Sequence, residues 1–292
     1  MSARKRKKKI SLPVIVVSLG IVMLCHFSGI GTTEEKTQAE MPKTELPREE
    51  KISTSPQKTN TLLLPAYLTD RAEEILWREG FVISYNSKHL LPNWVSWLLT
   101  KERTKGTEKR ADNFQPDEGI KQGPIAYDND YKASGFDRGH MCPAADCKHS
   151  RASQNQCFLM SNICPQTHAL NAGDWKELEE ITRKWAQTYD SLYIVCGPVI
   201  ERDKVYPTIG NNKVSVPERY FKVIWRNVSG QRAEAIGFIF ENNDKNQPLS
   251  EYAMTVDEVE KCTGINFFSK FPKDLERKAE SSFDAKAWKG LK

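Results

Sequence analysis

Four consecutive residues, Asp137-Arg138-Gly139-His140, are followed downstream by Ser161-Asn162-Ile163-Cys164-Pro165-Gln166 and then by Asn171, Trp175, Glu179 and Arg183. A histidine takes up a proton near neutral pH, an asparagine oxygen is a hard ligand suited to Mg²⁺, and arginines grip phosphate oxygens in a fork. Together these residue types fit metal-assisted attack of water on a phosphate ester. The signal lies in the set, because each member alone has an ordinary structural use.

Several elements must position them. From about Gly173 onward, Trp175, Leu178, Ile181, Trp185 and Tyr189 share one apolar stripe while Lys176 and Glu180 fall opposite, which predicts a strong amphipathic helix. Glu179 and Arg183 lie one turn apart at the stripe's margin. Such a pair is most often a surface salt bridge worth about 0.3–0.5 kcal/mol. Asn171 has a plain alternative as a helix-start residue. The segment Cys157-Phe158-Leu159-Met160 reads as a short buried strand, and the arginine and glycine beside His140 favour an exposed turn over a packed strand. Elsewhere a first helix is expected from Leu68 to Arg78. Strands are expected at Phe81 to Tyr85, Trp94 to Leu99, Leu192 to Gly197, Tyr220 to Trp225 and Ala235 to Phe240, the last two as a hairpin across Asn227 to Gln231. Thr255 with Glu258 forms a capping box for a helix that Gly264 ends. Strands that outnumber helices without regular alternation predict an α+β domain with a largely antiparallel sheet.

The order and spacing of Asp137 to His140, Ser161-Asn162, Pro165-Gln166, Asn171, Trp175, Leu178-Glu179 and Arg183 resemble the DNA/RNA non-specific endonucleases. The similarity runs from about Leu62 to Phe268 and is densest from Phe136 to Arg183. It implies the ββα-metal (His-Me finger) fold, with a largely antiparallel central sheet flanked by helices, and cleavage of DNA and RNA with little sequence preference. Under that resemblance His140 is the general base, and Asn171 is the protein ligand of Mg²⁺, or of Mn²⁺ or another divalent cation. Glu179 orients a water near the ion. Arg138, Arg183 and Arg110 attend the scissile phosphate, Arg110 through the looser pattern of Lys109-Arg110 ahead of Asn113-Phe114. Asp137 holds the turn, Asn162 fixes the histidine loop, and the product keeps a 5′-phosphate. A non-catalytic relative that docks nucleic acid, or an enzyme restricted to one nucleic acid, are the rival readings.

Composition narrows the setting. With 292 residues and 39% hydrophobic content the chain supports one sizeable core. The net charge of +5 is more than accounted for by Arg4, Lys5, Arg6, Lys7, Lys8 and Lys9, so bulk charge does not argue for polyanion binding. Attraction to phosphate must come from a local cluster such as Lys101, Arg103, Lys105, Lys109, Arg110, Lys148 and Arg151. Residues 1–31 read as a membrane anchor or signal, since an uncharged run of roughly 20 residues follows the basic ones. That predicts a catalytic domain exported to the periplasm or cell surface, with cleavage and secretion as one alternative and a mitochondrial presequence as another. The solid apolar core without an arginine stripe speaks against the presequence. Residues 32–61 read as a flexible tether and 62–292 as the endonuclease domain. An inhibitor protein is conceivable for an enzyme that endangers its host, though no residue identifies one.

Six cysteines follow the apolar run, Cys142, Cys147, Cys157, Cys164, Cys196 and Cys262. Disulfides fit an exported domain, but the spacing assigns no pairing. Oxidation at Cys142 or Cys147 would staple the loop that carries His140. Alternatively, His140, Cys142, Cys147 and His149 form a Cys/His cluster of the kind that Zn²⁺ prefers.

Overall fold

The computed structural model describes residues 61–228 and 232–292. The N-terminal apolar segment and most of the tether lie outside them. Among the described residues no helix is long and apolar enough to cross a membrane.

A seven-stranded sheet organises the chain. Its strands are β1 (Glu74–Arg78), β2 (Phe81–Asn86), β3 (Leu91–Thr100), β6 (Ser191–Pro198), β9 (Arg219–Val228), β10 (Arg232–Glu241) and β11 (Ala253–Met254), hydrogen-bonded in the order β1-β2-β3-β6-β9-β10-β11. Every neighbouring pair is antiparallel. The expected strands are therefore present, and β9 meets β10 in the anticipated hairpin, with Val228 opposite Arg232. Alternation along β9 divides the interior. Tyr220 and Ile224 join the core that contains Trp175 and Trp185, whereas Phe221, Val223 and Trp225 join a second core with Phe267 and Phe268.

Two features correct the sequence reading of this region. No helix forms from Leu68 to Arg78; its second half is strand β1, hairpinned to β2 across Glu79-Gly80. Gly80 takes a φ of +91°, a value open to glycine, and β1 gains a full ladder of strand bonds that an isolated first helix would lack. The second correction is at Cys157 to Met160, which is a turn leading into a short 3₁₀ turn at Met160–Asn162. The strand begins only afterwards.

Two small ribbons complete the β structure, β4 (Asp137–His140) with β5 (Ile163–Gln166) and β7 (Thr208–Ile209) with β8 (Val214–Ser215). Between β4 and β5 lies helix α1 (Arg151–Gln156), capped by Ser150, whose hydroxyl accepts from the Ser153 N–H. After β5 come α2 (His168–Ala172) and the long α3 (Asp174–Tyr189), and the ribbon plus these helices is the ββα unit. Three further helices follow, α4 (Leu249–Tyr252), α5 (Val256–Thr263) and α6 (Lys273–Glu280). Helix α5 has the expected capping box of Thr255 and Glu258 and ends at Gly264 in the left-handed region, φ +70°.

The α3 stripe is as the periodicity predicts, with Trp175, Leu178 and Trp185 buried and Lys176 and Glu180 exposed. Gly173 joins α2 to α3 so tightly that a Cβ there would lie 2.3 Å from the Ala169 carbonyl oxygen. Gly173→Ala is therefore expected to destabilise the fold by about 1–3 kcal/mol, measured by chemical denaturation, because backbone must move to admit the methyl group.

Candidate active site

The Asp-Arg-Gly-His segment is a strand, not an exposed turn, and His140 is only 9% exposed. Gly139 permits this, since a Cβ at that position would meet Gln166 Oε1 at 2.0 Å across the ribbon. A single buried side chain, Asn162, ties the following loop down. Its Oδ1 accepts from the Cys142 N–H at 2.9 Å, and its Nδ2 donates to the Cys142 and Cys157 carbonyls at 2.9 and 2.8 Å. Helix α3 grips the same point, as Trp175 Nε1 donates to the His140 carbonyl at 3.2 Å.

The imidazole packs against Phe158 and Phe114, with ring centroids 4.7 and 5.5 Å away. Its Nε2 is buried without a hydrogen-bond partner among the described residues. Burial, aided by the Arg110 charge, pushes His140 down to about 3. The ring is thus neutral at physiological pH. Arg138 lies over Phe114 at 4.6 Å and Arg110 over Phe158 at 4.9 Å, so the same two phenylalanines pack against the imidazole and both cations. Each arginine is also held by a carboxylate, Arg138 by Asp128 at 2.5 Å and Arg110 by Asp112.

Asn171 sits within α2, and the helix cap is Thr167, whose hydroxyl accepts from the Leu170 N–H. The capping alternative for Asn171 therefore does not apply. Its Nδ2 donates to Asp137 Oδ2 at 3.0 Å, and the same oxygen meets His168 Nδ1 at 2.8 Å. With the amide nitrogen engaged, the amide oxygen is left as a free acceptor, which is what a hard cation requires. Asn171, Asp137, Arg138, Arg110 and Phe114 line one cleft of about 500 Å³.

Glu179 and Arg183 do not form the surface salt bridge that is the plain alternative for this spacing, among the described residues. Arg183 donates instead to Asp146 Oδ1 at 3.3 Å, and Asp146 Oδ2 accepts from Trp97 Nε1 at 3.1 Å. Burial pushes Glu179 up to about 7 against the opposing charges of Lys222 and Arg183. Lys222 and Asp146 are the residues that sequence reasoning missed. Lys222 is 1% exposed, with Nζ 4.2 Å over the Trp175 ring. Its signal was available, because Lys222 falls in the apolar phase of β9 between Tyr220 and Ile224. Asp146 had none, as it lies in a short turn after the motif.

All six cysteines among the described residues are thiols. Cys142 and Cys147 are buried with their sulfurs 3.5 Å apart. The zinc reading of His140, Cys142, Cys147 and His149 fails on geometry, since these residues do not converge as a ligand group among the described residues.

The sequence model of the DNA/RNA non-specific endonuclease family matches residues 58–274. Mitochondrial endonuclease G of Homo sapiens is 31% identical over 65% of this chain and 68% of its own length. Its Caenorhabditis elegans counterpart is 33% identical over 68% and 69%. Mitochondrial nuclease 1 of Schizosaccharomyces pombe is 34% identical over 66% of each. In three dimensions, a chain of the crystal structure of an EndoG/EndoGI complex superposes with a TM-score of 0.65 and 26% identity, covering 70% of this chain and 90% of that one. With the ββα unit and the α+β sheet in place, these matches make the chain a nuclease that belongs to the DNA/RNA non-specific endonuclease family.

Proposed function

We propose that this nuclease hydrolyses phosphodiester bonds of both DNA and RNA with little sequence preference, using His140 as general base and a Mg²⁺ ion held through Asn171. The observation that carries the reading is the Asp137–Asn171 hydrogen bond, which turns the asparagine oxygen free in a cleft walled by Arg138 and Arg110. A divalent ion held there, Mn²⁺ or another included, would supply positive charge against the negative charge of the phosphate and its leaving group.

The chain's own residues do the rest. His140, neutral and fixed between Phe114 and Phe158, takes a proton from the attacking water, leaving a 5′-phosphate on the product. Glu179 in its ionised form orients a neighbouring water, and Arg183, drawn toward Asp146, stands one turn further along α3. Arg138 and Arg110 hold phosphate oxygens. An external water makes the 2′-hydroxyl unnecessary, so sugar identity matters little. Contacts mainly to phosphate give rates that fall steeply with salt.

The relatives named mitochondrial favour the mitochondrial alternative for residues 1–31 over an exported anchor. The structural neighbour comes from a complex of EndoG with EndoGI that concerns a mechanism of EndoG inhibition, which makes an inhibitor protein a partner class for this chain.

Full-length protein with Mg²⁺ is expected to degrade plasmid DNA and RNA, and EDTA to stop both. His140→Ala and Asn171→Ala should each lower kcat by about 10²-fold or more while the protein stays folded by circular dichroism. A folded wild type that leaves both substrates intact would overturn the proposal.

Because Glu179 titrates near pH 7 and acts as the anion, kcat/KM should decline as pH falls through that value. Lys222→Met removes a cation that favours the charged carboxylate, so the acid limb should move to higher pH. The same substitution leaves Glu179 and Asp146 without that cation, so melting temperature is expected to fall at alkaline pH and to fall less where the carboxyls are protonated. A unchanged pH profile beside a lower melting temperature would assign Lys222 a purely structural part.

A further inference from the structure

On the sheet face away from the catalytic helix, α5 and α6 bring three acidic residues together. One carboxylate oxygen from each of Asp257, Glu260 and Glu280 lies within 4.8 Å of the other two. Asp257 and Glu260 are one turn apart on α5, and Glu280 is the last residue of α6. Acidic groups often gather at surfaces without purpose, but Glu280 is different. It is only 5% exposed, and its Oε1 has no hydrogen-bond partner among the described residues.

Several charges face this group, and they do not balance. Glu276, one turn before Glu280, adds a fourth carboxylate, itself 4% exposed. The neighbouring cation is Lys273, whose Nζ is taken by Glu276 at 2.7 and 3.0 Å. Glu260 receives one backbone hydrogen bond, from the Phe267 N–H at 2.8 Å. A carboxylate at a helix C-terminus is also repelled by the unpaired carbonyls there. Burial and the mutual repulsion of these acids push Glu260 up to about 7 and Glu280 up to about 8.

The geometry points to a second divalent-cation site, distinct from the catalytic one, in which Asp257, Glu260 and Glu280 bind Ca²⁺ and clamp α5 to α6. Oxygen is the ligand that hard cations take, and two ligands of one Ca²⁺ stand no farther apart than about 4.8 Å, twice a Ca–O distance of about 2.4 Å, a limit that all three carboxylate oxygens meet. Waters complete the shell on the exposed side. The ion joins two helices that Val256, Val259 and Ala279 already seat on the same core, so its effect is on stability rather than on phosphate chemistry.

The test uses cation-stripped full-length protein, equilibrium dialysis against Ca²⁺ alone, and thermal melting at about pH 8. Asn171→Ala, which lacks the proposed catalytic ligand, is expected to take up one Ca²⁺ and to melt about 5 °C higher with it. Asp257→Asn and Glu260→Gln added to Asn171→Ala should lose both the uptake and the shift. Absence of Ca²⁺ uptake by Asn171→Ala overturns the site, and so does uptake that survives in the combined variant. If that variant fails to fold, dialysis of Asn171→Ala decides alone, and neither result depends on nuclease turnover.

Discussion

Three hydrogen bonds from one buried amide, Asn162, hold the active end of this molecule in register. Asn162 reaches the main chain on both sides of the Cys142 peptide and at Cys157. A buried amide so fully satisfied is cheap to bury and costly to disturb. The β4–β5 ribbon has only four residues on each side, too few to be stable alone. The amide on one side and the Trp175 indole on the other make it rigid. The direction of the His140 ring, and of Phe158 beneath it, follows from that anchorage.

Around this point the fold exploits burial instead of avoiding it. Withdrawing His140 from water keeps it neutral, and withdrawing Glu179 raises it toward neutrality. Lys222 and Arg183 oppose the Glu179 charge while Asp146 adds a like one, each on a different element. Such a network depends on α3 lying correctly on the sheet, which explains why the helix has aromatic anchors at both ends. Trp175 meets Tyr220 and Phe240, and Trp185 meets Trp288 from the C-terminal tail.

Local patterns were readable from the chain where one periodicity dominated. The α3 stripe, the β9–β10 hairpin and the Thr255 capping box were all legible because neighbours a few residues apart decide them. The segment from Leu68 to Arg78 was misread because its apolar spacing satisfies both periods over so short a length, and the tertiary partner β2 settles the matter. The Asp-Arg-Gly-His segment was taken as a turn because glycine usually marks one. Here glycine serves close approach by Gln166, a contact between residues 27 positions apart that only folding discloses. Types and spacing therefore name a set of chemical groups but not their charge partners. Arg183 facing Asp146 and Arg138 facing Asp128 are long-range facts.

The Asp137–Asn171 contact bears on how freely the site can drift by mutation. Asparagine and aspartate differ by one base in the genetic code, and an acidic side chain at position 171 would seem the better partner for a cation. Aspartate has no hydrogen to give to Asp137, however, and would place two like charges about 3 Å apart, the separation now spanned by the amide bond of 3.0 Å. With Asn171 as the proposed ligand, the more strongly charged residue is thus shut out by its neighbour, and this single-base change leads away from a working site.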